Sequence, residues 1–351
     1  VKRDTIGRSV SLNRAALVRL SFLGAFVAVL ALYLLSGRYP GPGFMPPSLI
    51  LTDETARRVF FSIRLPRALG AILLGAVLGG SGAAFQTIFG NPLVDAGFLG
   101  VSQGAAFGAA LALVAGTWAV LNPVVSGFGF TVFVSASSFV ASLAALWASL
   151  ALSKKFKFGG QVLRLILAGL AVSAFFSSLL AAVKYVADPL SQLPDIVFWT
   201  MGSLTAMGWQ RLLSIAPVSL FSLAALYLLR WRATLLSLDD EVSRSIGLKP
   251  GTERTIIAIV AAIGVAAVTA ACGIVSWIGL VVPQVARILA GADGRNSIPL
   301  SMAGGAIFAL VADGIARTLF PGELPLGIVT ALLGALVFVT VLASRSTEMT
   351  R

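Results

Sequence analysis

Hydrophobic positions in this chain come in long unbroken runs, not at the spacing of an amphipathic helix or a half-buried strand. Stretches free of charged residues cover 20–37, 68–94, 96–153, 165–183, 212–229, 255–286, 296–312 and 324–344. A hydrocarbon core about 30 Å thick is crossed by roughly 20 apolar helical residues. The run 96–153 is too long for one crossing, and Gly116, Asn122, Pro123, Gly127 and Gly129 supply a break. Gly273 and Pro283 divide 255–286 in the same way. Pro283 is able to open a new helix, because a proline in the first turn forfeits no helical hydrogen bond. The pattern predicts ten membrane helices, at 17–36, 66–88, 96–115, 124–152, 163–186, 210–230, 253–275, 281–291, 297–319 and 326–345. The runs are too long and too continuous for barrel strands.

Composition strengthens this reading. Of 351 residues, 58% are hydrophobic and only 11% charged, against about 25% charged in soluble domains. Mean hydropathy is +0.95. A soluble enzyme, a secreted disulfide scaffold and a disordered chain are thereby excluded. With no His and one Cys, Cys272, a His-ligated metal site and a Ser-His-Asp triad are impossible. No G-x-x-x-x-G-K-[ST] occurs, so the chain has no P-loop for ATP. The sequence reads as one all-α polytopic domain, 1–351, lying in the lipid bilayer.

The net charge of +12 is read as orientation, not as a nucleic-acid footprint. With the N-terminus inside, 18 of the 26 basic residues fall on inner segments, as the positive-inside rule requires. Both termini are then cytoplasmic. The first apolar stretch is long and lacks an A-x-A-like site, so it reads as an uncleaved first helix.

Some features stand out against this background. Gly75 and Gly79 are four apart, as are Gly100, Gly104 and Gly108, the spacing that lets helix backbones approach closely. The inner segment 235–248 reads as a short amphipathic helix. Asp239 and Asp240 suit its N-terminus, Val242 and Ile246 share a face, and Gly247 stops it. The run Asp239-Asp240-Glu241 would be repelled by an anionic leaflet, which favours a protein partner. Arg57, Arg58, Arg64, Arg67 and Arg317 fall outside, against the charge rule. Ser173, Ser177 and Ser178 give the fifth span a weak pore-lining signal.

Several motifs then resemble one family. They are Arg64-Leu65-Pro66-Arg67, Ser81-Gly82-Ala83-Ala84-Phe85-Gln86, Asn91-Pro92-Leu93, and Leu99-Gly100-Val101-Ser102-Gln103-Gly104-Ala105. The runs 273–283, Ala312-Asp313-Gly314-Ile315-Ala316-Arg317 and Glu323-Leu324-Pro325-Leu326-Gly327 follow in order. Together they resemble the ten-helix permeases of ATP-driven (ABC) importers for iron–siderophores, haem and vitamin B12, the FecCD-like type II importers.

That resemblance implies a homodimer, two ATPase subunits inside and a substrate-binding protein outside. It implies no cofactor bound by this chain, ATP and magnesium being held by the ATPase. Leu238, Asp239, Asp240, Glu241, Val242, Arg244, Ile246 and Gly247 match the coupling element that docks on the ATPase. Arg64, Arg67 and Arg317 match residues that meet the binding protein. Asn91, Leu93, Gln161, Val162 and Leu163 fall where the family closes its cytoplasmic gate. The sequence departs from the family at Gln284 and Gly294, where His is usual, and at Asp239-Asp240 in place of Gly-Glu. The implied cargo is a metal chelate, first of all iron–siderophore, with vitamin B12, haem and molybdate as alternatives. An intramembrane enzyme would need ionisable groups within spans, and Asp313 and Lys184 are the candidates, both near outer ends. A secondary transporter would need mid-span carboxylates and no coupling helix.

Overall fold

The computed structural model describes residues 20–119, 128–319 and 322–349, and all the structure below refers to them. Ten long helices correspond one to one with the ten predicted spans. They are α1 (Leu20–Leu35), α4 (Leu65–Phe89), α5 (Val101–Ala119), α6 (Phe128–Lys155), α7 (Gln161–Val186), α9 (Trp209–Leu235), α11 (Pro250–Cys272), α12 (Ile278–Ala290), α13 (Gly294–Thr318) and α14 (Leu326–Met349). Short elements fill the connections: α2 (Pro47–Thr52), α3 (Glu54–Arg58), α8 (Gln192–Thr200) and α10 (Asp240–Ser245). A two-residue antiparallel pair, β1 (Ser36–Gly37) with β2 (Gly43–Phe44), follows α1. It is a turn between helices and spans nothing.

The predicted boundaries needed three corrections. The third span begins at Val101, not 96, because 90–100 is an irregular segment that opens at the left-handed Gly90. Gly116 lies inside α5 and Gly129 inside α6, so neither interrupts a helix. The remaining break residues, Asn122, Pro123 and Gly127, lie outside the described residues. Pro283 does not open α12, which starts five residues earlier. It sits inside the helix and removes the N–H that would pair with the carbonyl of Gly279. The carboxamide of Gln86 replaces that donor, with Nε2 3.2 Å from Gly279 O and 3.1 Å from Leu280 O.

Burial orders the helices. In α4, 89% of the most apolar window is buried and in α11 72%, against 22% in α7 and 28% in both α9 and α14. A soluble core needs bulky residues, but in lipid the gain comes from close backbone approach. Accordingly α4 and α13 meet through small residues. A Cβ on Gly75 would stand 2.0 Å from Gly305 O, one on Gly79 2.2 Å from Ser301 O, and one on Gly305 2.0 Å from Gly75 O. The same device joins α4 to α12, where a Cβ on Gly82 would be 1.9 Å from Gly279 O. It also joins α5 to α6, where Gly104 and Gly108 face the carbonyls of Ala141 and Ser137. The four-residue glycine spacing is thus helix packing at Gly75, Gly79, Gly104 and Gly108, whereas Gly100, at φ +80°, lies before α5.

Because the obstacle at Gly75 is backbone, no side-chain rotation relieves it. Gly75→Val and Gly305→Val are each expected to lose about 3 kcal/mol, the upper end of overpacking effects. Gly24→Ala in α1, where nothing lies within 4 Å, is expected to be neutral or slightly stabilising. Thermal midpoints of the purified protein in one detergent check the contrast.

Candidate functional site

Two ends of the bundle carry the candidate residues. One end is marked by α10, together with the C-termini of α4, α9 and α12 and the N-termini of α7, α11 and α13. The helical part of the predicted 235–248 segment is shorter than the reading implied, with six residues. Leu238, Val242 and Ile246 are 46%, 47% and 52% exposed, so the apolar face singled out by spacing points away from the bundle. Asp239, Glu241 and Arg244 are exposed beside it. Ser243 faces inward, its Oγ donating to Leu235 O at 2.9 Å. Gly247, at φ +88°, ends the helix, and Leu248 N returns to Ser243 O at 3.1 Å, the 6→1 bond of a Schellman stop.

What holds α10 is Arg254, a residue the sequence reading counted only as an inner charge. Its guanidinium is buried. NH1 pairs with Asp240 Oδ1 at 2.7 Å, NH2 donates to Leu236 O at 3.1 Å, and Nε donates to Ile88 O at 3.1 Å. One side chain therefore ties α10 and the end of α9 to the last turn of α4.

The last turn of α4 leads directly into the irregular segment 90–100, which carries Asn91 and Leu93. Asn91 Oδ1 accepts from Leu93 N at 2.9 Å, and Leu93 is 62% exposed at the tip. Behind the tip the backbone is pinned to α12. Gln86 Nε2 donates to Val94 O at 3.1 Å, Gln284 Nε2 donates to Pro92 O, and Arg287 donates to Gln86 Oε1. Gln284, one of the departures from the family pattern, thus holds the segment bearing Asn91 and Leu93. Gly294, the other, lets α13 approach α9, since a Cβ there would meet Thr234 Oγ1 at 2.9 Å. Gln161 Nε2 bonds Gly251 O at 2.9 Å, Val162 packs against the core, and Leu163 is 46% exposed.

At the far end the three arginines expected to meet a binding protein are brought together, but they point inward. Arg64, Arg67 and Arg317 are 3%, 6% and 7% exposed. Arg67 grips Asp313 through Nε and NH2 at 2.8 and 2.9 Å and reaches Glu323 through NH1 at 2.9 Å. Tyr33 donates to the same Asp313 at 2.5 Å, and Thr205 to Glu323 at 2.9 Å. Arg317 lies 4.0 Å from the Tyr33 ring centre and donates to Tyr33 O and Ser36 O. Arg64 donates to Leu34 O and Tyr39 O. In this conformation all three are buried, Arg67 on carboxylates and the other two on neutral carbonyls. The physical reason is that the buried Asp313 carboxylate and the open carbonyls at the end of α1 require donors at this depth. Arg57 and Arg58 are exposed at this end, with Arg58 bonded to Glu54 at 2.6 Å.

Beside this cluster the backbone unwinds at 273–277. Ser203 N donates to Cys272 O at 2.7 Å, and Leu326 N and Gly327 N donate to Gly202 O and Met201 O at 2.8 and 2.9 Å. Three chain segments are so joined through main-chain bonds. Trp277, the only described non-glycine residue with positive φ (74°), packs its ring on Gly334 and Phe338.

With this geometry in view, the comparisons with known proteins fall into place. The model of the FecCD transport family matches residues 25–344. The chain belongs to the FecCD transport family. The molybdate import system permease protein MolB of Haemophilus influenzae is 36% identical over 289 residues, 82% of this chain and 81% of that protein. A Helicobacter pylori protein named "Probable iron chelatin transport system permease protein" is 40% identical over 285 residues, 81% and 82% of the two chains. A solved structure classed as a metal-chelate type ABC transporter, in an inward-facing conformation, superposes with TM-score 0.83 at 33% identity, covering 93% of this chain and 99% of its own. The FecCD chain described here is a multi-pass membrane protein, and its relatives are permease subunits.

Removing one partner of a buried ion pair leaves an uncompensated charge, at about 3–5 kcal/mol. Arg67→Met is expected to lose that much stability. Arg67→Met with Asp313→Leu should recover most of it, because the apolar replacement removes both charges. A double-mutant cycle on thermal midpoints reads the difference. Recovery of nothing would show that Glu323 and Tyr33, not Asp313, dominate the cluster.

Proposed function

We propose that this chain is the single-domain permease subunit of an ATP-driven importer for a metal chelate, in the first place an iron chelate. It works as a homodimer with two ATPase subunits on the α10 side and a substrate-binding protein on the other. The observation that carries this is α10. The exposed apolar side chains of Leu238, Val242 and Ile246, in and beside it, face out of the bundle, and Arg254 connects it to the last turn of α4, which leads into the segment bearing Asn91 and Leu93. A push on α10 therefore reaches the proposed gate through one buried guanidinium. The α10 side is cytoplasmic in this reading, as the 18-to-8 distribution of basic residues supports.

The chain does no covalent chemistry in this reading. ATP and magnesium act on the partner ATPase, and binding there shifts the permease between two packings of the same helices. The weakly buried helix α7 supports a pathway wall. Ala171, Ala174, Ser177, Ser178, Ala181 and Ala182 are all exposed on it, a small and partly polar patch beside the exposed Leu170 and Phe175. Without His, and with Cys272 only 2% exposed, the pathway lacks soft ligands for a bare ion, so a metal crosses inside its chelator. The Helicobacter relative's name and the structural neighbour favour a chelate. The Haemophilus relative favours molybdate as the second reading. Uptake of labelled iron chelate and of labelled molybdate into proteoliposomes bearing permease, ATPase and binding protein decides between them.

Two outcomes check the assembly. Val242→Asp with Ile246→Asp places charges on the face meant for the ATPase, and burying an unpaired charge costs several kcal/mol. At micromolar concentration the ATPase should be lost on co-purification, while the permease alone keeps its thermal midpoint. For orientation, an impermeant thiol reagent on intact cells, in a Cys272→Ser background, should label Arg57→Cys and spare Ser245→Cys. The opposite labelling would invert the assembly.

A further inference from the structure

A cleft of about 1100 Å³ opens on the flank of the bundle between α1, α4, α9, α12 and α13, and neither the docking, coupling nor gating residues line it. It is larger than most small-molecule sites, which are roughly 300–1,000 Å³. Its chemistry changes along its length. One end is apolar, with Phe26, Ile72 and Ala306 among its walls, and the other carries Arg230, Arg295 and Asn296. On α13 the lining runs from Arg295 to Ala306. At 1.5 Å per residue that is about 16 Å, close to half of a hydrocarbon core about 30 Å thick. The cleft therefore spans one leaflet, with its charges at the α10 end.

The charged end has the composition of a headgroup site. Arg230 lies 3.7 Å from the Tyr227 ring centre and donates to Tyr227 O. Arg295 lies 4.2 Å from the Trp231 ring centre. Tyr227 and Trp231 are 46% and 48% exposed, and such half-exposed aromatics mark the headgroup level. Asp293 is the opposing charge. It engages Arg295 Nε at 2.9 Å and also accepts from Arg295 N and Thr234 Oγ1. Burial pushes its carboxyl up, but these donors outweigh burial and hold it below the usual carboxylate range, so it is ionised at neutral pH. Arg230 has no carboxylate partner among the described residues. Two guanidiniums against one carboxylate leave the mouth positive.

We infer that this cleft holds an anionic phospholipid, one acyl chain lying between α1 and α13 and the phosphate meeting Arg230 and Arg295. Basic recesses between membrane helices on the cytoplasmic side are suited to anionic headgroups. The preceding residues 1–19 are the competing occupant within this chain. They carry Lys2, Arg3, Arg8, Arg14 and Arg19 against Asp4, so they repel the same mouth. The inference is independent of the cargo, and it uses the proposed orientation only to name the leaflet.

Native mass spectrometry of the purified protein, equilibrated with equal amounts of phosphatidylglycerol and phosphatidylcholine, tests it. Retention should favour phosphatidylglycerol by roughly 30-fold, equivalent to about 1 kcal/mol for each arginine. Arg230→Gln with Arg295→Gln should abolish the preference, whereas Arg57→Gln with Arg58→Gln at the far end should leave it intact. Ala303→Phe fills the cleft while leaving both arginines in place, and should reduce retention of either lipid. Thermal midpoints in detergent establish that each variant is folded. Equal retention of the two lipids by wild type, or an unchanged preference in the Arg230/Arg295 variant, would overturn the assignment. So would full competition by glycerophosphoglycerol, which has the headgroup without acyl chains, or a crosslink from residues 1–19 to Ala303→Cys.

Discussion

The structure depends on how closely α4 and α13 approach. Lipid tails are as apolar as leucine side chains, so burying bulky residues gains little between membrane helices. Direct backbone contact through Gly75, Gly79, Gly305 and Ser301 supplies what the hydrophobic effect supplies in water. The contact also fixes what lies above and below it. Toward one end it brings Arg67 of α4 against Asp313 of α13, where a small sideways shift would break the bidentate pair. Toward the other it brings Gln86 within reach of α12 and the irregular segment after α4.

A second constraint follows from the first. Chain that leaves the helical ladder at membrane depth must find partners for its N–H and C=O groups inside the protein. Where α11 ends at Cys272, its last carbonyl accepts from Ser203 N, and the neighbouring 201–202 carbonyls accept from 326–327. The segment 90–100 relies on side chains, with Gln86, Gln284 and Ser149 capping its carbonyls. Main-chain bonding is insensitive to residue identity, whereas side-chain caps are specific. Irregular backbone held by a few amides is stable in place yet releasable, which suits the segment on which Asn91 and Leu93 sit.

Much of this was legible in the sequence. Charge-free runs gave all ten apolar helices, because a span needs a minimum apolar length, and seven of these, as described, are long and apolar enough to cross a membrane. The glycine spacing gave the packing faces, and Val242, Ile246 and Gly247 gave the form of α10. What was not legible depended on where side chains point. Arg64, Arg67 and Arg317 fall at the outer face by charge pattern, yet their long stems allow the guanidiniums to turn inward. No linear spacing places Tyr33 beside Asp313, 280 residues away. Gln86 carried a faint signal, being the one amide within the predicted span 66–88. Arg254 carried none, since a basic residue at an inner helix start satisfies the charge rule whether or not it is buried. The start of α12 was misread because proline was taken as a helix opener, although Gln86 lets it stand inside.

Two of the buried guanidiniums, those of Arg67 and Arg254, brace opposite ends of the bundle with different stiffness. Arg67 at one end is closed by Asp313, whose side chain is 1% exposed, and by Glu323. Separating that pair strands charges where water cannot reach them. Arg254 at the other end meets one carboxylate, Asp240, whose side chain is 40% exposed. Water can replace that partner, and exposed pairs are worth only about 0.2–1 kcal/mol. Its two carbonyl bonds, to Ile88 and Leu236, are neutral acceptors that hold α4 and α9 without an ionic penalty for small displacement. Movement of helix ends is therefore least costly on the α10 side, where α10 itself presents an open apolar face. On these contacts, the Arg67 end resists displacement more than the α10 end, and the α4–α13 backbone contact joins the two.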